Sequence, residues 1–234
     1  MPVLKFAELT PGRVKKLDAQ RTVFLLPVSL MEAHGEHLPL GTDYMLSDFF
    51  AQQLAQRITE DNVFPTAVLF SPLAVGAGGI QKEGTINTDQ DLVQRLIIDY
   101  GEKLGQWGFR FGLLVSIHAG QNHLQALEQA YEQLRPTGFN FLPLTNRLLP
   151  WFFTEDFIEQ ISRRLPQPLS KAEKSILAED GHAGWWETAM MTLAEPQLVR
   201  HEALPATGHL DPSFAEAALQ AVLQQALGHI LQFK

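Results

Sequence analysis

Cysteine is missing from the 234-residue chain. That excludes disulfides and leaves His, Asp and Glu to hold any transition metal. Long apolar runs are missing too: no stretch approaches the roughly 18–20 residues that cross a bilayer, so no membrane span is expected. Lys5 and Glu8 break the first residues and no long apolar stretch follows them, so no signal peptide is expected and a cytoplasmic setting is. Positive charge is scarce: 18 Lys and Arg stand against 26 Asp and Glu, a net charge of −8. A nucleic-acid partner is not expected from that balance. No repeat, low-complexity tract or linker interrupts the chain, and its length suits one domain over residues 1–234.

What is present is an alternation of strand and helix signals. Thr22–Val28 is an apolar run that reads as a buried strand. From Tyr44 to Thr59, Leu46, Phe49, Phe50, Leu54 and Ile58 recur at helical spacing. Val63 to Phe70 reads as a second strand. A helix capped by Thr88 or Asp89 and stopped by Gly105 and Gly108 precedes Phe109 to Ile117, apolar enough for a central parallel strand. A helix with Leu124, Leu127, Tyr131 and Leu134 on one face leads to a last strand, Phe139 to Leu144. Thr10 and Pro11 open a short helix to about Asp18, and Asp211 with Pro212 opens the final one. Pro150 to Ser170 reads as a long irregular connection with a short helix between Thr154 and Arg164. The expected fold class is α/β, a three-layer α/β/α arrangement with a mostly parallel central sheet.

In such sheets, ligands bind beyond the carboxyl ends of the strands. The loop after the first strand, Glu32-Ala33-His34-Gly35-Glu36-His37-Leu38-Pro39-Leu40-Gly41-Thr42-Asp43, holds acids and imidazoles together. That mixture suits zinc, manganese or iron, and a carboxylate can bridge two ions. The alternative is a polar loop in which Asp43 caps the helix. His118 lies just past the central strand and opens on the same rim; alone, it also reads as a structural histidine. The glycine-rich stretch from Gly76 to Gly79 fits neither a P-loop nor a dinucleotide fingerprint, and reads as a site-lining loop.

Glu32 to Asp43, spelled E-x-H-G-x-H-L-P-L-G-T-D after a strand ending in L-P-V, resembles the signature of the creatininase family of metal-dependent amidohydrolases. A second segment, Ser116-Ile117-His118-Ala119-Gly120-Gln121-Asn122, is similar to the family's N-G-H-G-G-N, with Gln121 where Asn is expected and Asn122 one place later. A third, His182-Ala183-Gly184-x-x-Glu187-Thr188, matches H-A-G-x-x-E-T-S, with Ala189 in place of Ser. In creatininase a Glu two residues after the strand-end His holds the second ion; here that position is Gly120, and Glu187 is the replacement the resemblance implies. Read without the family, Glu187 is a first-turn helix acid favoured by the dipole.

The resemblance implies two divalent ions per chain, zinc, manganese or iron. Glu32, Asp43 and His118 hold one and His34, Asp43 and Glu187 the other, with Asp43 bridging. It also implies a hydroxide, generated from water whose pKa the ions lower toward about 7, that attacks the carbon of a small, non-peptide amide. The leaving nitrogen needs a proton, and His182 is the candidate acid/base, with Asp180 to orient it. His37 matches the family pattern as a residue that orients a ligand; Asn122, Trp185, Trp186 and Trp151 are candidates for the pocket wall. A homo-oligomer, a hexamer, is the implied assembly. Within the enzyme class the alternatives are a creatinine-type ring opener, a formamide deformylase and a peptide-trimming relative. Outside it stands a non-catalytic metal-binding or assembly protein.

Overall fold

The computed structural model describes residues 3–204 and 212–234. Its sheet has five parallel strands in the order β1 (Val3–Lys5), β3 (Thr66–Leu69), β2 (Thr22–Ser29), β5 (Phe111–Val115) and β6 (Asn140–Pro143). A short β4 (Leu73–Ala74) continues beside the end of β2, pairing with Val28 and Ser29. β2 is central and every residue in it is buried, as a strand covered on both faces requires. Its side chains alternate between two cores. Val23 and Leu25 point to one, Phe24, Leu26 and Val28 to the other.

Helices cover both faces. α3 (Gln90–Gln106) and α4 (Gln121–Leu134) bury Val93, Ile97, Ala126 and Ala130 against one. α2 (Thr42–Glu60), α8 (Trp185–Ala194) and α9 (Pro212–Phe233) lie on the other, α9 burying Phe214, Ala218, Val222 and Ile230. This is the three-layer α/β/α arrangement with a parallel sheet that the periodicity predicts. The layers meet closely at glycines. A Cβ on Gly101 of α3 would overlap the side chain of Leu134, and one on Gly112 of β5 would overlap the ring of Phe141.

The structure differs from expectation at the ends and in the connection. β1 is an edge strand that three residues are too few to announce, and α1 is short, Pro11–Val14. The connection after β6 holds the expected short helix, α6 (Glu155–Ser162), and two that were not expected, α5 (Leu144–Leu148) and α7 (Lys171–Ala178). α6 is capped by the Thr154 hydroxyl accepting from Phe157 N, and α7 by a capping box between Ser170 and Glu173. The expected opening of the last helix at Asp211 falls outside the described residues, which resume at Pro212. Among the described residues no helix is long and apolar enough to cross a membrane.

Candidate metal centre

The chain leaves β2 into a loop closed on itself. Glu32 N donates to Leu40 O at 2.8 Å, and the Thr42 hydroxyl donates to Pro39 O at 2.7 Å. The 76–86 loop locks onto it: Ala33 N donates to Thr85 Oγ1 at 3.1 Å and Ile86 N to Met31 O at 2.9 Å. Gly41, not Asp43, is the cap of α2, which leaves the Asp43 carboxylate inside the first turn and free to face the loop. Ser47, one turn on, donates to Asp43 O at 2.6 Å and accepts from Ile117 N at 2.9 Å, joining this turn to the segment past β5.

Glu32, His34, Asp43 and His118 are brought together and buried, with Glu187 beside them in the first turn of α8. His34 Nε2 lies 3.3 Å from Asp43 Oδ1 and 3.7 Å from Glu187 Oε2. His118 Nδ1 lies 3.0 Å from Glu32 Oε2 and 3.2 Å from Asp43 Oδ2. The far nitrogen of each ring is tied to a backbone carbonyl: His34 Nδ1 donates to Glu32 O at 3.0 Å, and His118 Nε2 donates to Ala77 O at 3.1 Å. This fixes ring orientation and turns one nitrogen of each toward the carboxylates, as backbone partners do for metal-ligating histidines. Glu32 Oε1 accepts from Ile80 N at 2.6 Å, and Glu187 Oε2 from Ala183 N at 2.6 Å.

Several atoms at the centre are left over. Asp43 Oδ1 and Oδ2, Glu32 Oε2 and His34 Nε2 are buried and make no well-directed hydrogen bond among the described residues. Buried polar atoms are rarely left so without a reason. Two overlapping triads place one donor atom from each member within 4.8 Å of the others: Glu32, Asp43 and His118, and His34, Asp43 and Glu187. A third, Glu32, His34 and His182, also converges.

The electrostatics of the cluster without a cation are those of carboxylates crowded out of water. Burial opposes charge on His34, but Asp43 and then Glu187 outweigh it and hold the imidazole at about 9. Burial likewise opposes charge on His118, and Asp43 with Glu32 raises it to about 9. Burial acts to raise Asp43, yet the two imidazoles hold its carboxyl well below the usual range. Burial first, and then the Asp43 charge, push Glu187 up to about 8.

The remaining predicted residues fall around this centre. His182 is exposed on the rim; its Nε2 donates to Ala33 O at 2.8 Å and its ring lies 4.2 Å from that of His34. Asp180 does not reach that ring: its oxygens accept from Trp185 N and Trp186 N, both at 2.8 Å, and cap α8. Burial raises the Asp180 pKa against these backbone hydrogen bonds. His37 is buried with Nε2 3.0 Å from Thr188 Oγ1; that hydroxyl donates to Gly184 O, so His37 is the donor. Burial lowers its pKa, partly offset by the Ala183 carbonyl. Asn122 is exposed on the first turn of α4 and does not line the cavity. Trp185 stacks on Phe214 at 4.5 Å, away from the site, whereas Trp186 lines it. Trp151 packs against Phe157 and donates to Asp156. A Cβ on Gly120 would overlap His118 Nε2 and Gly78 O, so the position is closed to any ligand side chain.

Sequence reasoning passed over three supporting groups. One is Ser47, whose place four residues after Asp43 puts it on the same helix face. Another is the Ile80 backbone N–H. The third is His123, fully buried behind His118, with Nε2 3.1 Å from Ser116 Oγ. Burial, then the charge of His118, push His123 down to about 3. Glu32, Asp43, His118 and Glu187, with His182, line a cavity of about 320 Å³ whose other lining is largely apolar.

Known proteins share this sequence pattern and fold. The family model described as Creatininase: Creatinine amidohydrolase matches residues 7–228. The "Mycofactocin precursor peptide peptidase" of Mycobacterium ulcerans (strain Agy99) is 30% identical over 142 residues, 59% of this chain and 55% of that protein. The protein of the same name from Mycolicibacterium smegmatis is 31% identical over 129 residues, 53% of this chain and 49% of that protein. The chain thus spans about half the length of these curated relatives. The crystal structure of creatinine amidohydrolase (creatininase) superposes with a TM-score of 0.67 at 21% identity, covering 98% of this chain and 97% of that one. At that identity the likeness shows the fold. With the three motifs gathered on one rim of that fold and the family model matched nearly end to end, the chain belongs to the creatininase family.

Proposed function

We propose that this protein is a metal-dependent amidohydrolase that binds two divalent ions and hydrolyses an amide C–N bond. The observation that carries the reading is the Asp43 carboxylate. Both of its oxygens are buried without a hydrogen bond, and each faces a different histidine whose far nitrogen is already tied to a carbonyl. The donor set is all imidazole and carboxylate, which fits zinc, manganese or iron. Solved structures of this fold include one named "Creatininase Mn" and a mutant creatininase of "Zn-Zn type". Glu32, Asp43 and His118 would hold one ion and His34, Asp43 and Glu187 the other, the two triads that converge in the structure. When bound, such ions polarise a carbonyl and supply hydroxide from water at neutral pH.

The chain's own residues do the rest. Ile80 N holds Glu32, Ala183 N holds Glu187, and the Glu32 and Ala77 carbonyls hold the two imidazoles, so the site is arranged before substrate arrives. His182 is the proton carrier. Its Nε2–H is anchored on Ala33 O, which leaves Nδ1 to take a proton from the attacking water and pass it to the leaving nitrogen. Water oxygen joins the carbonyl carbon, the C–N bond breaks, and the nitrogen departs as an amine. His37 steadies this arm by donating to Thr188 in the turn that carries Glu187. Asp180 acts on the backbone of α8, not on His182.

Among the family's chemistries, cleavage of a peptide amide has the most support, because the curated relatives are named as peptidases of a precursor peptide. A homo-oligomer belongs to the same reading; Leu40 and Ile86 leave apolar side chains 47% and 64% exposed on the two loops that build the site. The test is amine release from a panel holding peptides, formamides and creatinine, run on metal-free and metal-loaded protein. Metal-dependent release from any member supports the hydrolase. Two ions bound with no release from any member supports a non-catalytic metal-binding protein instead.

A further inference from the structure

The cavity above the acid–imidazole cluster has a wall whose chemistry restricts what can enter. Its apolar lining includes Ile117, Leu148, Leu149, Phe152, Phe153 and Trp186. Among the described residues, its lining contains no Lys or Arg, and its titratable groups are Glu32, Asp43, His118, His182 and Glu187. A carboxylate or an ammonium laid against the apolar part of this lining would leave water and find no side-chain partner there. An apolar group gains from burial there.

The backbone shows that the wall is held in place at some cost. Phe153 has φ +60°, a left-handed conformation unfavourable for a bulky side chain. Its ring is held among Phe152 and Phe157, at 5.8 and 5.6 Å. Strain of this kind persists where the surroundings over-determine it, often at ligand clamps.

We propose that the segment Leu148–Phe153, with Ile117 and Trp186, is the specificity wall of the site. It selects an amide whose residue beside the scissile bond carries a bulky apolar or aromatic side chain. This rests on the amide-hydrolase reading and extends it to substrate class.

The test uses the metal-loaded full chain and the blocked tripeptides acetyl-Ala-X-Ala-amide, with X as Phe, Leu, Lys or Glu. Binding is read by calorimetry and cleavage by amine release. The expected result is that X as Phe or Leu binds at least about tenfold tighter than X as Lys or Glu, the scale of one apolar pocket contact. Phe153→Gly suits the left-handed backbone, so the fold is kept; it should erase most of that preference with metal content unchanged. Leu149→Lys, at an exposed position, should bind X as Glu more tightly than the parent protein does. Equal binding across the four peptides, or a preference for a charged X, overturns the proposal. Selective binding of Phe and Leu peptides with no cleavage upholds the wall and counts against the hydrolase. Cleavage without selectivity does the reverse.

Discussion

His34 donates its Nδ1–H to the carbonyl of Glu32, two residues back in the same loop, at 3.0 Å. One short contact therefore sets the tautomer that leaves Nε2 facing Asp43 and Glu187, and it does so with backbone that the Glu32 side chain does not need. The loop orients one candidate ligand with the main chain of another. His118 repeats the device with Ala77 O at 3.1 Å, so both imidazoles are aimed by carbonyls from the loops of the rim.

The role given to His182 predicts a separation of metal binding from turnover. His182→Ala should keep the fold and both ions and lower kcat by about 10²–10⁴-fold, the range for a positioned proton-transfer group. Metal analysis and steady-state rates on the best amide check this. A large loss of metal would make His182 a ligand, an outcome its convergence with Glu32 and His34 makes measurable. A normal kcat would remove it from the chemistry.

The cluster without metal predicts how binding depends on pH. His34 and His118 stand at about 9 and Glu187 at about 8. All three therefore hold protons at pH 7, and an ion must displace them. The sign follows: metal binding releases protons, and affinity rises with pH until the solution passes about 9. Each displaced proton contributes about a tenfold gain per pH unit below its pKa. Calorimetry in buffers of different ionisation enthalpy measures the release. No release at pH 7 would contradict the electrostatics described above.

Gly101→Ala probes the packing of α3 on α4. The added methyl has no room beside Leu134, and overpacking of this kind costs about 1–3 kcal/mol. That exceeds the helix-propensity gain of about 1 kcal/mol from replacing Gly by Ala. Denaturant midpoints should fall. An unchanged midpoint would mean that the two helices can part at little cost.

Assembly is checked by sedimentation. Micromolar protein should run as an oligomer, a hexamer on the family resemblance, through the exposed apolar side chains around the site. A monomer at that concentration would end this part of the account.

Much of the fold was legible because β2, β5 and their flanking helices bury enough apolar side chains to write a period into the sequence. β1 was not, since three residues half covered at an edge carry no period. Of the helices after β6, α6 was legible between Thr154 and Arg164, while α5 and α7 were hidden by prolines at 150, 166 and 168, although the Ser170-x-x-Glu173 pattern of a capping box was visible in the sequence. At the site, the convergence of Glu32, His34, Asp43, His118 and Glu187 was legible as motif. What holds them was not, because the Ile80 N–H and the Ala33 and Ala77 carbonyls are backbone groups that any residue supplies. Asp180 shows the limit from the other side: its nearness in sequence to His182 pointed to that ring, while the first turn of α8 offered it two N–H donors.

The central claim is that Asp43 holds two ions together. Elemental analysis of metal-replete protein, beside Asp43→Ala and Glu187→Gln, tests it most directly. The parent should hold close to two divalent ions per chain. Glu187→Gln should hold about one, with the Glu32, Asp43 and His118 triad intact, and Asp43→Ala fewer than one. A parent that saturates at one ion, or an Asp43→Ala variant that still holds two, would contradict it.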